Sequence, residues 1–224
     1  MQVYIAGAGK LALELRQRLV PAQGLSLARW DGVPAQGARS IVVHAGSGRE
    51  LEAIAAFCAD TGSVLLELST GSALEGAAVQ FPLVICPNTN LLMLKFMRML
   101  ERSGGLFKGC DIQLTESHQA SKTSVPGTAV QMAQALGVAE QAIVSVRDPA
   151  QQVLACQIPA AHLGRHAFHR ITLQDGPCTI AMETRVYGDA PYASGVQAIL
   201  EAVHRQTLEP RTYGITEFID RGWV

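Results

Sequence analysis

Short apolar runs alternate with segments of helical periodicity through the first half of the chain, and that order leaves few folds open. Strands are expected at Val3-Tyr4-Ile5-Ala6, Leu25 to Trp30, Ser40 to His44, Val64 to Leu68 and Leu83 to Cys86. Helices are expected at Leu11 to Leu19, Arg49 to Asp60 and about Asn90 to Ser103. Repeated strand-helix-strand order predicts a parallel sheet covered by helices, because parallel neighbours need a crossover connection. Only Asp31 to Arg39 join the second and third strands, which leaves no room for a helix there. From Cys110 onward the pattern changes. Strands at Asp111 to Glu116, Ile143 to Arg147, His166 to Leu173 and Cys178 to Tyr187, with helices at Thr128 to Leu136 and Ala193 to Arg205, predict a mostly antiparallel α+β module. Gly104-Gly105 is the expected hinge, and the chain is expected to return to the first module near Pro210.

Composition excludes several function classes. A formal net charge of -1 and a pI near 6.6 give no general attraction for phosphate backbones or anionic lipid, so no nucleic-acid or membrane partner is expected. The stretch from Leu83 to Leu100 is broken by Pro87, Asn88, Asn90, Lys95 and Arg98, which forbids a membrane-spanning helix. Met1 leads directly into a strand pattern, so no signal peptide is expected. The 5 cysteines show neither a C-x-x-C pair nor zinc spacing, which predicts a reduced, cytoplasmic setting and no metal. Only 17% of residues are charged, and that low share is read as apolar surface buried in a homo-oligomer, a dimer or a tetramer.

The first strand runs into Gly7-Ala8-Gly9-Lys10-Leu11-Ala12 and then a helix. This is the G-x-G-x-x-A form of the dinucleotide turn: Gly7 for the tight bend, Gly9 for close approach of a pyrophosphate, Ala12 for close packing of helix on strand. The amides at the helix start, from Lys10 and Leu11, would meet the phosphates. At the end of the second strand stand Ala28-Arg29-Trp30-Asp31 rather than an acid at the strand tip. Arg29 suits a 2'-phosphate and leans the site toward NADPH over NADH, while a solvated surface arginine is the other reading. Two further loops follow strand ends at the same sheet edge, His44-Ala45-Gly46-Ser47-Gly48 and Ser69-Thr70-Gly71, where small residues would let nicotinamide and ribose approach the backbone. His44 by itself reads as a packed or solvated histidine.

The densest polar segment is Thr115-Glu116-Ser117-His118-Gln119-Ala120-Ser121-Lys122-Thr123-Ser124-Val125-Pro126-Gly127-Thr128-Ala129, which leaves a strand and opens a helix. A titratable histidine, a lysine and free amides at a helix start suit a small carboxylate substrate. An ordinary helix with Thr128 near its cap and a surface lysine is the alternative. His166 and His169 are read as sharing one face of a strand, in packing or subunit contact, with His166 lining the cleft as the alternative, and His162 and His204 as surface residues.

This segment resembles the signature of the 4-hydroxy-tetrahydrodipicolinate reductase (dihydrodipicolinate reductase) family, in particular its plant-type branch with E-S-H-Q-A-S-K. Gly105-Leu106-Phe107-Lys108-Gly109 before it, and Arg147-Asp148-Pro149-Ala150-Gln151-Gln152, Gly164-Arg165-His166-Ala167-Phe168-His169, Tyr192-Ala193-Ser194-Gly195 and Arg211-Thr212-Tyr213 after it, fall in family order. The resemblance implies His118 as general acid and Lys122 as a substrate-binding and catalytic lysine. It implies Gln119, Gly127 and Thr128 as further substrate contacts. It also implies Ser69-Thr70-Gly71 and Cys86-Pro87-Asn88 as loops on the nicotinamide side, so that Pro87 and Asn88 join the cofactor set. The implied fold is a Rossmann-like parallel-sheet domain, 1–107 with 206–224, plus an α+β domain, 108–205, for substrate binding and oligomerisation. The implied activity is NAD(P)H-dependent reduction of a small cyclic dicarboxylate in the lysine and diaminopimelate pathway. Ser124 replaces the family aspartate, and no serine stands between Pro126 and Gly127. Those departures keep open a reductase of another cyclic imine or unsaturated carboxylate, or a nucleotide-binding paralogue without turnover.

Overall fold

The computed structural model describes residues 1–32, 38–188 and 192–224 of the chain. The chain divides into two compact units, Met1–Leu91 with Pro191–Val224, and Leu92–Ala190.

The first unit is built on β1 (Gln2–Ala6), α1 (Lys10–Arg18), β2 (Ser26–Arg29), β3 (Ile41–His44), α2 (Leu51–Thr61), β4 (Val64–Glu67) and β5 (Leu83–Ile85). The chain then makes α3 (Leu91–Ser103), β6 (Asp111–His118), α4 (Gly127–Leu136), β7 (Val144–Val146), α5 (Pro149–Leu154), β8 (His166–Asp175) and β9 (Cys178–Tyr187). It ends with α6 (Tyr192–Arg205), β10 (Thr212–Gly214) and α7 (Ile215–Asp220). The first sheet has 6 parallel strands in the order β10-β5-β4-β3-β1-β2. Every side chain of β3 and β4 is buried, as expected of central strands covered on both faces. On one face Ala6, Val42, Leu65 and Leu83 pack with Ile54, Phe57 and Cys58 of α2, and Trp30 closes the cluster. The link from β2 to β3, expected to be too short for a helix, runs through residues 33–37, outside the described residues.

The second sheet has 4 strands in the order β7-β6-β8-β9. β7 runs parallel to β6, whereas β8 pairs antiparallel with both β6 and β9. Period-two alternation gives the sheet two unlike faces. On one, Leu114, Ile171 and Leu173 pack beneath Met93 and Leu100 of α3 and Met132 and Leu136 of α4. On the other, Phe168 packs with Cys156 and Ile158.

Two expectations about organisation change. The boundary falls beside Leu91 and ahead of α6, not at 107/108 and 205/206. The reason is packing: α3 gives Met93 and Leu100 to the second core, while α6 lies in the first unit with Gly195 against Thr89. Gly104 is not a hinge. It is buried, and a Cβ there would stand 2.3 Å from the Ala135 carbonyl oxygen, so glycine serves close contact with α4.

At Gly195 the contact is tighter still, since an added Cβ would stand 1.7 Å from the Thr89 carbonyl oxygen. Backbone cannot yield as a flexible side chain can. Gly195→Ala is expected to lower stability by about 3 kcal/mol, whereas Gly105→Ala, with open space at its Cβ position, should leave the melting curve nearly unchanged. Thermal unfolding of the two variants checks this.

Candidate functional site

The carboxyl ends of the parallel strands gather the residues expected for a cofactor. The chain leaves β1 toward β2 on one side and β3 on the other, and ligand crevices in such sheets open where the order reverses. Gly7 follows β1 at φ +112°, and a Cβ there would stand 2.4 Å from the Ala45 carbonyl oxygen. Both the backbone angle and the approach of the next loop demand glycine. Gly9 caps α1 without a side-chain hydrogen bond, and the first turn of the helix holds no acid. The amides that open the helix, beginning at Lys10 and Leu11, therefore have no side-chain cap. No atom lies within 4 Å of the position a Gly9 Cβ would take, and Gly9 and Lys10 are exposed. An uncapped helix start with a cation beside it fits the pyrophosphate of a nicotinamide dinucleotide. Ala12 is fully buried, which lets α1 pack close to β1.

The other expected cofactor residues lie along the same edge. Arg29 ends β2 with its side chain exposed, and Asp31 beyond it is exposed too. Ser69, Thr70 and Gly71 follow β4, where the Ser69 amide donates to Glu67 Oε1 at 2.8 Å. Beyond β5, Asn88 accepts the Asn90 amide at 2.9 Å through Oδ1, and Pro87 is exposed.

In the second unit the site grows out of β6. Strand register aligns Ser145, Glu116, His169 and Thr184 in one row across β7, β6, β8 and β9. His118, two residues beyond Glu116, shares its face. Glu116 is fully buried, with Oε2 2.8 Å from His118 Nδ1. The Arg147 guanidinium donates to Glu116 Oε1 at 2.5 Å and to Oε2 at 3.1 Å. Desolvation by itself would raise the Glu116 pKa, but hydrogen bonds from His118 and Arg147 outweigh it and hold the carboxyl at about 2. A carboxylate only accepts, so His118 Nδ1 carries a hydrogen and Nε2 is left for other work.

His118 and His169 meet edge to face, with ring centroids 5.7 Å apart. His169 Nδ1 lies 2.9 Å from Thr184 Oγ1, and its buried Nε2 has no partner among the described residues. Burial, helped by the neighbouring His118, pushes the His169 pKa down to about 4. His166 and His169 do not share a face, because three steps along a strand reverse it. His166 instead turns to Ser117, with Nε2 3.0 Å from Ser117 Oγ. His162 is half-buried and stacks on Tyr187 at 4.9 Å.

The loop after β6 is tied to the same network. Arg147 Nε donates to the Lys122 carbonyl at 2.9 Å, and Gln152 Nε2 donates to the His118 carbonyl at 2.7 Å. The Lys122 side chain is partly exposed, and its ammonium makes no hydrogen bond or ion pair among the described residues. Pro126, not Thr128, caps α4, and Gly127 is its first residue. The helix start has no side-chain cap and no acid in its first turn, with Gly127 exposed and Thr128 half-buried. Gln119 is half-buried, and its carbonyl accepts the Lys122 amide at 2.9 Å. His118, Gln119, Lys122, Gly127 and Thr128 thus belong to the second unit, and the cofactor set to the first. Among the described residues no group of three or more His, Cys, Asp and Glu comes together as a metal site, and no helix is long and apolar enough to cross a membrane.

The roles of Glu116, Arg147 and His169 are not assigned by motif reading. The i, i+2 spacing of Glu116 and His118 on a strand was the available signal for the first. The other two depend on strand pairing, which sequence spacing does not show.

No protein-family model matches the chain. It is 33% identical over 153 residues to 4-hydroxy-tetrahydrodipicolinate reductase 2, chloroplastic, of Arabidopsis thaliana, covering 62% of this chain and 44% of that protein. It is 32% identical over 129 residues to the probable reductase 2, chloroplastic, of Oryza sativa subsp. japonica, covering 54% of this chain and 40% of that protein. The chain is a relative of the 4-hydroxy-tetrahydrodipicolinate reductases. The match spans less than half the length of these curated relatives. Among solved structures, the dipicolinate-bound dihydrodipicolinate reductase from Paenisporosarcina sp. TG-14 superposes with a TM-score of 0.68 at 16% identity, covering 96% of this chain and 97% of that one. An engineered D-amino acid dehydrogenase bound to NADP+ superposes with a TM-score of 0.52 at 11% identity, covering 97% of this chain and 93% of that one. This reductase relative therefore shares their two-domain α/β architecture.

The depressed His169 pKa has a consequence for stability. Between its ordinary 6.5 and about 4, the unfolded chain takes up a proton at this imidazole that the folded chain refuses. Stability should therefore fall as the pH drops through that window, by on the order of 3 kcal/mol from this group. Urea unfolding across the window should show the slope in the natural protein and lose much of it in His169→Asn.

Proposed function

We propose that this protein reduces 4-hydroxy-tetrahydrodipicolinate to tetrahydrodipicolinate, with NADPH favoured over NADH, as a step of lysine and diaminopimelate biosynthesis. One observation carries the reading: His118 is held at the end of β6 by buried Glu116, itself paired with half-buried Arg147, in the segment that continues into Lys122 and the open start of α4. The relatives bear that reaction in their names.

When bound, the nicotinamide supplies hydride to the unsaturated ring left after loss of water from the substrate. The protein's own residues do the rest. Glu116 fixes the tautomer and orientation of His118, so that Nε2 faces away from the carboxylate and can deliver a proton to the carbon next to the reduced centre. Lys122 offers an uncompensated cation to a substrate carboxylate, and the amides of Gly127 and Thr128 offer hydrogen bonds to the same charge. Gln119 adds a neutral contact. This division of labour is positioning and electrostatics, with no covalent intermediate on the protein. Arg29, exposed at the tip of β2, supports the preference for a 2'-phosphate.

A reductase of another cyclic imine or unsaturated carboxylate is the second reading, favoured by the direct passage from Pro126 to Gly127 at the start of α4. A homo-oligomer, dimer or tetramer, is part of the proposal, supported by the length of β9 at the sheet edge and its exposed Ile180. So is a reduced, cytoplasmic setting, supported by 5 cysteines that are all free.

The assay follows nicotinamide absorbance with freshly generated substrate. His118→Gln should lower kcat at least about 100-fold with little change in nucleotide affinity, and Lys122→Ala should mainly raise the substrate KM. Absence of NADPH or NADH oxidation by the natural protein, with oxidation on another cyclic imine, would move the assignment to the second reading.

A further inference from the structure

A second buried pair lies in the first unit, whereas the residues assigned to proton delivery belong to the second. His44 and Glu67 are register partners at the ends of β3 and β4. Their side chains are 1% and 0% exposed, and His44 Nδ1 stands 2.7 Å from Glu67 Oε2. The other carboxylate oxygen accepts the Ser69 amide at 2.8 Å. Ser69 Oγ in turn donates to the Gly46 carbonyl at 3.0 Å. Gly46 has no room for a side chain: a Cβ would stand 2.8 Å from His44 Nε2 and 3.3 Å from Gly7 Cα. Gly7 itself is pressed against Ala45. The loops after β1, β3 and β4 are thus gathered around this one pair.

A stability role does not account for the arrangement. Two apolar residues would fill such a position at lower cost than a polar pair taken out of water. His44 Nε2, moreover, is buried directly beneath Gly46 with no partner among the described residues, an expense the fold alone does not need. The three loops that the pair connects are those expected to face a nicotinamide dinucleotide.

We propose that His44 and Glu67 are positioning residues for the cofactor: they hold the Gly7, Ala45-Gly46 and Ser69 loops at the spacing the dinucleotide requires. The inference rests on the proposed use of NADPH or NADH. It assigns the pair to nucleotide affinity and not to the proton step, which belongs to the second unit.

The test is an equilibrium titration of the full chain with NADPH, read by nicotinamide fluorescence, beside thermal melts. The double variant His44→Leu with Glu67→Leu removes the polar pair and keeps the site filled, so it should melt no lower than the natural protein. Its Kd for NADPH should nevertheless rise about tenfold, or 1.4 kcal/mol. Unchanged Kd in that folded variant would overturn the proposal, because a merely structural pair predicts it. Should the double variant fail to fold, Glu67→Gln, which keeps the volume and a hydrogen-bonding group, decides by the same comparison of Kd. A natural protein that binds neither NADPH nor NADH also overturns it. Nucleotide binding without reduction of 4-hydroxy-tetrahydrodipicolinate would count against the proposed reaction alone, and the affinity comparison would still decide this one.

Discussion

A carboxylate taken fully out of water loses hydration worth several kcal/mol, and the second unit is arranged around what replaces that hydration at Glu116. Arg147 supplies two of the hydrogen bonds and the opposite charge. It can do so only because β7 lies beside β6, which places the residue after β7 against the end of the longer strand. The same guanidinium holds the Lys122 carbonyl, so the group that neutralises Glu116 also sets the course of the loop toward α4. His118 completes the set from the next outward position on β6. Charge compensation at Glu116 and the placement of the His118 imidazole are therefore one structural problem with one solution.

Under the proposed function the two units differ in the groups they offer to ligand charge. The first offers backbone amides at the start of α1, with small or absent side chains nearby. The second offers side chains, to which the helix start at Gly127 adds. Backbone sites tolerate little change at glycine positions, whereas side-chain sites can shift their preference by single substitutions. Ser124, where the family pattern differs, lies on the side-chain half.

Local signals made much of this readable from the sequence. The alternation of apolar runs and helical periods placed five of the six strands of the parallel sheet to within a residue or two, since buried central strands such as β3 and β4 are apolar throughout, and missed only the short β10. Gly7 was readable because a strand, a tight turn and a helix stand in immediate succession. What escaped was non-local. Arg147 is separated from Glu116 by 31 residues and meets it only through parallel pairing. The membership of α6 depends on a glycine contact with Thr89, and periodicity says only that α6 is a helix. The pairing of His44 with Glu67 required knowing that β3 and β4 are neighbours in register.

The return of the chain to the first sheet bears on how the protein comes into being. β10 pairs with β5 although the whole second unit lies between them in the sequence. A nascent chain can close the second unit from contiguous residues as soon as β9 has emerged. The first sheet, begun earlier, must wait with one edge of β5 bare until residues 212–214 arrive. Synthesis and maturation thus run in opposite order, and for that interval the protein carries an unpaired parallel edge, the kind of surface on which a neighbouring chain can pair in error.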